Sequence, residues 1–160
     1  MDNESNFNPK NTGILLISHG SRHPLASETF NQIVDMYREK TDFKVTVGYM
    51  EIHEPNIPVA INELVEGTEI DTVIAVPVFL AHGMHTTRDI PKILGLNNDK
   101  DEESNVHHNH NHANDHGHHH HHHDLEKIDF DGKIIYTDPL GADPLVIEII
   151  KNRVDTALKM

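Results

Sequence analysis

Short apolar runs alternate along this chain with segments whose apolar residues recur at helical spacing. The runs predict four buried strands, at residues 13–18, 43–50, 71–80 and 133–137. The helical stripes follow each strand in turn, at residues 26–37, 57–65, 86–94 and 146–158. Strands that are joined by helices form parallel sheets through right-handed crossovers. The pattern therefore predicts a small doubly wound α/β domain, with a four-stranded parallel sheet and helices on both faces.

Polar, histidine-containing segments follow the predicted strands. His19 and Gly20 close the first strand, and His85 lies just after the third. In doubly wound sheets the ligand sits at the carboxyl ends of the strands. We therefore expect the functional site at this edge of the sheet.

One segment, residues 97–131, departs from the alternating pattern. It is rich in His, Asn, Asp and Glu, and its nine acidic residues against two lysines make up more than half of the net charge of −13. Such a composition does not offset the entropy cost of ordering. We predict a flexible N-terminal extension (1–10) and a single domain (11–160) in which residues 97–131 form a disordered acidic, His-rich insertion.

Charge and cysteine content exclude several classes of protein. The chain has 26 acidic residues against 13 Lys and Arg, whereas a nucleic-acid-binding protein would carry a basic stripe. It contains no cysteine, so a metal site must use imidazole and oxygen ligands. No signal sequence or membrane-spanning run is apparent. We expect a cytoplasmic protein that binds neither nucleic acid nor membranes.

Two histidines, His19 and His85, are candidates for a shared metal site. If their strands are neighbours, both imidazoles enter one crevice, where they suit Co²⁺ or Ni²⁺ and leave coordination positions open. The alternative for any single histidine is a turn residue that bonds to the backbone, which we consider for His23, His53 and His82. A second alternative for His19-Gly20 is histidine phosphatase chemistry, but Ser18 stands where those enzymes place arginine.

Four motifs resemble those of the small sirohydrochlorin cobaltochelatases, the short class II chelatases that include a nickel-using form. They are SHGSR at 18–22, MEIHEPNIP at 50–58, PVFLAHGMHTTRDIP at 77–91 and PLGAD at 139–143. The resemblance implies a chelatase-like domain equivalent to half of a longer two-lobed enzyme, and an active homodimer with sites facing a central cleft. It also implies sirohydrochlorin as substrate, Co²⁺ or Ni²⁺ as substrate metal, and no tightly bound cofactor.

The same resemblance implies roles for individual residues. His19 and His85 would bind the metal, and His19 would also be the catalytic proton acceptor. Glu54 would contact the tetrapyrrole, together with the residues Leu80, Ala81, His82, Gly83, Met84 and His85. Because a metal-bound nitrogen cannot also accept a proton, either the roles of His19 alternate in time or Glu54 takes the proton. Arg22 and Arg88 are candidates for binding substrate carboxylates, although Arg88 could instead pair with Asp89.

Eleven of the sixteen histidines lie between residues 107 and 123. A purification tag would be terminal and uniform, whereas this tract is internal and interleaved with Asn and Asp. Such tracts chelate divalent metals with little selectivity. We interpret the tract as a reservoir that raises the local metal concentration.

Deleting residues 107–123 should leave turnover at saturating metal nearly unchanged and lower it when metal is scarce. The measurement is the rate of metal insertion as a function of free metal concentration. A folded deletion variant that is inactive at every metal concentration would contradict the reservoir interpretation.

Two other functions fit part of the pattern. A metal-storage protein or metallochaperone would explain the His-rich tract but not the motif at 77–91. Iron insertion into sirohydrochlorin or a porphyrin is the alternative within the chelatases, because metal choice depends on supply as well as on ligands.

Overall fold

The computed structural model describes residues 6–96 and 128–160. Its strands are β1 (Thr12–Ser18), β2 (Lys44–Tyr49), β3 (Thr72–Pro77) and β4 (Lys133–Tyr136). Its helices are α1 (Pro24–Arg38), α2 (Ile57–Val65), α3 (Ile90–Ile93) and α4 (Pro144–Leu158), and a π-helical turn (His85–Asp89, the π turn) leads directly into α3. The alternation predicted from the sequence is confirmed.

The four strands form one parallel sheet in the order β2-β1-β3-β4. One face packs against α2 and α3 through buried residues of β1 and β3 such as Leu15, Ile17 and Val73. The other face packs against α1, where Phe30 and Val34 cover the side formed by β1 and β2. The predicted doubly wound architecture with helices on both faces is thus confirmed. It places the ends of β1 and β3 side by side, with Ile17 paired to Pro77.

Side-chain caps fix where three of the helices begin. The side chains of His23, Asn56 and Asp143 accept hydrogen bonds from backbone N–H groups in the first turns of α1, α2 and α4, and each helix has proline in its first turn. These caps satisfy N–H groups that a helix end leaves without partners. The strand-to-helix turns are therefore determined locally by sequence.

The helix after β3 begins differently from the sequence prediction. Thr86 and Asp89 have the sequence spacing of a capping box, but they do not form one: Thr86 is buried within the π turn, which begins at His85. The Thr86 hydroxyl instead accepts a hydrogen bond from the N–H of Gly83 at 2.8 Å. Because Asp89 does not take part in a helix cap, its carboxylate can contact other side chains.

Residues 128–131, which the predicted insertion includes, lie in the described part of the chain. Ile128 and Phe130 pack against the core next to α2 and α3, and the N–H of Ile128 lies 3.4 Å from the carbonyl oxygen of Ile93. Both side chains are partly buried against this core. The His-rich tract at 107–123 lies outside the described residues, as do residues 1–5 of the predicted N-terminal extension.

Helix α4 is present as predicted, but its apolar stripe is not covered. No residue of α4 is buried, and Ile149, Ile150 and Val154 are all more than half exposed. Separately, no helix in residues 6–96 and 128–160 combines the length and apolar character needed to cross a bilayer.

Candidate active site

The two candidate metal-binding histidines meet at the carboxyl ends of β1 and β3. The ring centroids of His19 and His85 are 4.7 Å apart, with the ring planes inclined at 54°. Both side chains are a little under half exposed, so a ligand from solvent can reach them. The edge of the Phe79 ring borders His19 on the core side. The structure therefore brings the two imidazoles together.

The loop after β2 lies directly against the loop after β1. The Met50 and Glu51 N–H groups donate to the carbonyl oxygens of Ser18 and His19. Gly20 adopts a positive φ of 93°, and a Cβ at this position would lie 2.0 Å from the Glu51 carbonyl oxygen. Glycine is therefore required for the close approach of the two loops. This approach places the Glu51 carboxylate beside His19.

Hydrogen bonding determines which nitrogen of His19 carries a lone pair. Nδ1 lies 3.0 Å from the carbonyl oxygen of Gly20, and a carbonyl oxygen can accept but not donate, so Nδ1 carries the hydrogen. In the neutral ring, Nε2 is then an acceptor, yet it lies 3.2 Å from the Glu51 carboxylate oxygen Oε1. Two acceptors at this distance repel each other unless a proton or a metal cation lies between or beside them. The His19–Glu51 pair is therefore suited to hold a cation.

A carboxylate fixes the ring of His85 in the same manner. Nδ1 of His85 lies 2.9 Å from Oδ2 of Asp89, which is four residues further along the chain, at the end of the π turn. The carboxylate accepts the Nδ1 hydrogen, which leaves the Nε2 lone pair available to a ligand. A histidine that donates its second N–H to a carboxylate is the usual arrangement around a protein-bound metal.

The site is open. Within the described part of the chain, no three His, Cys, Asp or Glu side chains converge closely enough to enclose a metal ion. Two imidazoles with nearby carboxylates leave several coordination positions for other ligands. A metal bound by so few ligands would be held loosely, which is what transfer to another molecule requires.

The π turn that carries His85 is attached to the edge strand. The Tyr136 hydroxyl donates to the carbonyl oxygen of Thr86 at 2.7 Å. Burial raises the pKa of Tyr136 to about 12, so this donor keeps its hydrogen throughout the physiological range. The bond fixes the position of the turn relative to β4.

Replacing Tyr136 with phenylalanine should lower the free energy of unfolding by about 1 kcal/mol, because a part-buried carbonyl loses its donor. The folded pKa of Tyr136 lies above its ordinary value of 10.0, so its contribution is complete below pH 10 and is lost as the pH rises towards 12. Urea unfolding across this range should show a smaller loss of stability in the variant. Equal losses in both proteins would contradict this role.

The segment proposed to contact the substrate lies beside the two imidazoles and faces solvent. Leu80 and Met84 are 64% and 59% exposed, and Ala81, His82 and Gly83 are also exposed. The loop after β4 supports this segment, because the Leu140 and Gly141 N–H groups donate to the carbonyl oxygens of Phe79 and Leu80. The exposed side chains form an apolar surface next to the metal-binding candidates.

Glu54 is placed less favourably for accepting a proton near His19 and His85 than the sequence suggested. Its side chain is exposed, and within the described residues it makes no hydrogen bond or ion pair with His19 or His85. Glu51, three residues earlier on the same loop, occupies the position beside the metal candidates. Sequence reasoning missed Glu51 and also the pairing of Asp89 with His85, although His85 and Asp89 are four residues apart.

The other histidines considered as turn residues contact groups in their own loops or in neighbouring loops. Nδ1 of His23 caps α1, and Nε2 of His53 bonds to the carbonyl oxygen of Ser21. His82 lies between the Thr86 hydroxyl, at 3.2 Å, and the Asp138 carboxylate, at 3.5 Å. His23 and His53 therefore bond to backbone groups, as the turn-residue alternative expects, whereas His82 contacts side chains.

The two arginines differ in their surroundings. Arg88 Nε lies 3.2 Å from Oδ1 of Asp89, so the alternative considered for this residue holds. Arg22 is exposed and makes no ion pair with any other described side chain. Arg22 is therefore the better placed of the two to bind an external carboxylate.

Backbone strain accompanies the Glu51 loop. Ile52 has a φ of 73°, which is rare for a β-branched residue, and its side chain is 54% exposed. The strain is thus not offset by burial of the isoleucine in the core. An exposed, strained apolar residue next to Glu51 is typical of a functional surface.

Replacing Ile52 with glycine should raise the free energy of unfolding by about 0.5–1 kcal/mol, since glycine adopts positive φ without steric cost. Chemical denaturation measures the change. Ile52→Ala is the matched control, because it also removes the exposed side chain but keeps a Cβ in the strained conformation. An equal effect of both substitutions would show that the gain does not come from the backbone.

Comparison with known proteins agrees with this geometry. A profile of the CbiX family matches residues 13–157, which is nearly the whole chain. The chain belongs to the CbiX family. Among curated CbiX relatives, the sirohydrochlorin cobaltochelatase of Methanothermobacter thermautotrophicus is 50% identical over 158 residues, covering 99% of this chain and all of the relative. The enzyme of the same name from Methanopyrus kandleri is 43% identical over 91% of this chain and 96% of the relative.

Solved structures agree on the CbiX fold. A CbiX protein from Marinobacter aquaeolei VT8 superposes with a TM-score of 0.64 over 92% of this chain and 95% of that chain, at 23% identity. SirB from Bacillus subtilis superposes with a TM-score of 0.61 over 89% of this chain and 46% of that chain, at 20% identity. This CbiX chain therefore shares its fold with about half of the longer protein.

Proposed function

We propose that this protein is a chelatase that inserts Co²⁺ or Ni²⁺ into sirohydrochlorin. The proposal depends above all on the meeting of His19 and His85 at the strand ends, with ring centroids 4.7 Å apart. Curated relatives that match nearly the whole chain are named sirohydrochlorin cobaltochelatases, which supports this substrate and cobalt as one metal. Nickel is the finer part of the proposal, since imidazole ligands suit both ions.

In the proposed reaction the two imidazoles hold the incoming metal through their Nε2 atoms. Gly20 and Asp89 occupy the Nδ1 side of His19 and His85 respectively, so each ring is held with Nε2 as the ligand atom. Because the described residues form no closed cage around such an ion, pyrrole nitrogens of the substrate can replace water on its open side.

The macrocycle must also lose two pyrrole protons. We assign acceptance of the first pyrrole proton to Glu51, whose carboxylate lies 3.2 Å from His19 Nε2. Glu54 has no such contact among the described residues. Proton acceptance by His19 remains part of the proposal for the stage after the metal has left, when Nε2 is free again. Separating the two roles in time removes the conflict between metal binding and proton acceptance on one nitrogen.

The substrate would lie on the exposed segment from Leu80 to Met84. Leu80 and Met84 offer apolar contacts to the ring, and the exposed Arg22 offers a guanidinium for a peripheral carboxylate. Glu54 remains a proposed contact at the rim of the macrocycle. The protein as a whole is acidic, so attraction of an acidic substrate depends on such local cations.

A homodimer is the proposed active unit, and sedimentation velocity tests it directly. The cytoplasmic location stays a prediction from the sequence.

The test is a metal-insertion assay on the purified full-length protein. Sirohydrochlorin is mixed with Co²⁺, Ni²⁺ or Fe²⁺ separately, and the visible spectrum of the tetrapyrrole is followed against protein-free controls. The proposal expects clear acceleration with Co²⁺ or Ni²⁺. Greater acceleration with Fe²⁺ would favour the iron-inserting alternative.

The same assay separates the chelatase from a storage protein or metallochaperone. Protein loaded with one equivalent of Co²⁺ is mixed with excess sirohydrochlorin, without free metal. A chelatase completes many turnovers when more Co²⁺ is added, whereas a storage protein releases its cargo no faster than a simple His-rich peptide. The second result would reject the proposed function.

A further inference from the structure

The loop between β2 and α2 is attached to the loop after β1 on both sides of Ile52. On the N-terminal side, the N–H of Glu51 donates to the carbonyl oxygen of His19 at 3.2 Å. On the C-terminal side, Nε2 of His53 bonds to the carbonyl oxygen of Ser21. Ile52 therefore lies between two attachments to the segment that carries His19.

Ile52 is the central residue of a γ-turn. The N–H of His53 donates to the carbonyl oxygen of Glu51 at 2.8 Å, which closes a three-residue turn, and the φ of Ile52 is 73°. A γ-turn with positive φ is the rare and strained form, and a β-branched side chain adds to the strain. Such strain persists only where the surrounding structure holds it, which is what the two attachments do.

Isoleucine is an unfavourable residue for this turn. Glycine would adopt the same φ without a steric penalty, so the shape of the turn does not require isoleucine. The Ile52 side chain is 54% exposed and belongs to neither of the two core clusters that the described residues form. What isoleucine adds is therefore an apolar surface that faces solvent.

This apolar surface lies next to the candidate active site. A Cβ built on Gly20 would be 3.7 Å from the Cβ of Ile52, so Ile52 adjoins the residue that follows His19. In the strand order β2-β1-β3-β4, β1 lies between β2 and β3. Ile52 after β2 and Leu80 after β3 therefore flank His19 from opposite sides.

The spacing of the two flanks suits a flat macrocycle. Two strands that are separated by a third lie about 10 Å apart, a width that a ring of four pyrroles covers when it lies across the strand ends. The faces of such a ring are apolar, whereas its carboxylates lie at the periphery, so an exposed isoleucine matches a face. A ring that is supported at both flanks has its central nitrogens above the end of β1, where His19 lies.

We propose that Ile52 contacts a face of the tetrapyrrole, on the flank opposite Leu80 and Met84, and so positions the macrocycle over the metal-binding histidines. The strained γ-turn holds the side chain in place before the substrate arrives, so binding does not have to order it. This inference rests on the chelatase function proposed above and adds a substrate contact to it.

Three substitutions at this one position test the contact. Ile52→Ala and Ile52→Gly remove the apolar side chain, whereas Ile52→Leu keeps one of equal size. Ile33→Ala is the matched control, because Ile33 is similarly exposed (45%) and lies in the middle of α1. Binding of metal-free sirohydrochlorin to each full-length protein is measured by fluorescence titration with a chelator present, and cobalt insertion is then measured on the same preparations.

Ile52→Ala and Ile52→Gly should bind sirohydrochlorin about five- to tenfold more weakly than wild type, the loss expected when about half of an isoleucine side chain is no longer buried by the ligand. Their KM for sirohydrochlorin should rise by the same factor while kcat stays within about twofold. Ile52→Leu and Ile33→Ala should match wild type within about twofold in both parameters.

The glycine variant separates a substrate contact from a structural role. Relief of the strained turn should stabilise the fold, so weaker binding by a more stable protein cannot come from unfolding. Wild-type affinity in both Ile52→Ala and Ile52→Gly would overturn the proposal. A loss confined to kcat would also overturn it, because Ile52 would then act only by placing Glu51.

The wild-type protein in the same experiment keeps the two proposals apart. If it binds sirohydrochlorin and inserts Co²⁺, and the two small variants do so equally well, the Ile52 contact is rejected and the chelatase function stands. If the wild type neither binds nor metallates sirohydrochlorin, the chelatase proposal fails and the Ile52 contact fails with it.

Discussion

Replacing His19 with alanine is expected to lower the rate of metal insertion by roughly 10³-fold or more, because both a metal ligand and a proton-accepting group are lost. His85→Ala should lower the rate of metal insertion by a comparable factor at subsaturating metal. The rate should recover in part when the Co²⁺ concentration is raised, since His85 is assigned metal binding alone. The measurement is the initial rate of sirohydrochlorin metallation over a range of Co²⁺ concentrations.

His23→Asn is the matched control for these variants. It removes a neighbouring histidine but keeps a side chain that caps α1, so its rate should stay within about twofold of wild type. Circular dichroism confirms that each variant is folded. If His19→Ala retained more than a tenth of the wild-type rate, His19 would not be at the reacting centre.

The second large effect is expected at Glu51, where replacement with glutamine should lower turnover by about 10²-fold. Glutamine keeps the size of the side chain but cannot take a proton. The loss should be in kcat more than in KM for sirohydrochlorin, because the macrocycle can still bind. Saturation kinetics in sirohydrochlorin at fixed Co²⁺ separate the two parameters.

Two further variants serve as comparisons for Glu51→Gln. Glu54→Gln tests the acceptor first considered from the sequence, and we expect it to change KM by a few fold with little loss of kcat. Glu63→Gln, on the exposed side of α2, removes a surface charge of the same sign and should have no effect. A larger loss of kcat in Glu54→Gln than in Glu51→Gln would reverse the assignment.

The sequence predicted the fold because local signals and the hydrophobic period agree. Each buried strand is a short apolar run, and α1, α2 and α4 begin at a capping side chain followed by proline. Once the strands are known to be parallel, their carboxyl ends must meet at one edge of the sheet. The neighbouring positions of His19 and His85 also require β1 and β3 to be adjacent, which the structure shows.

The details of the site could not be predicted, because they depend on how the loops pack. Glu51 and Glu54 are equally plausible from sequence spacing, and the choice between them depends on the approach of the Glu51 loop to Gly20. Thr86 and Asp89 have the spacing of a capping box, but a π turn starting one residue earlier buries Thr86 and directs Asp89 to His85. The stripe on α4 predicts a helix correctly, but it wrongly suggests a buried face, since no residue of this helix is buried.

The central proposal is that His19 and His85 hold one metal ion between them, and diffraction from Co²⁺-soaked crystals at the cobalt absorption edge tests it most directly. The proposal expects an anomalous peak about 2 Å from Nε2 of both rings, a normal metal–imidazole distance. A fully occupied cobalt bound to one of these rings alone, or bound at His53 or His82 while the pair stays empty, would contradict it.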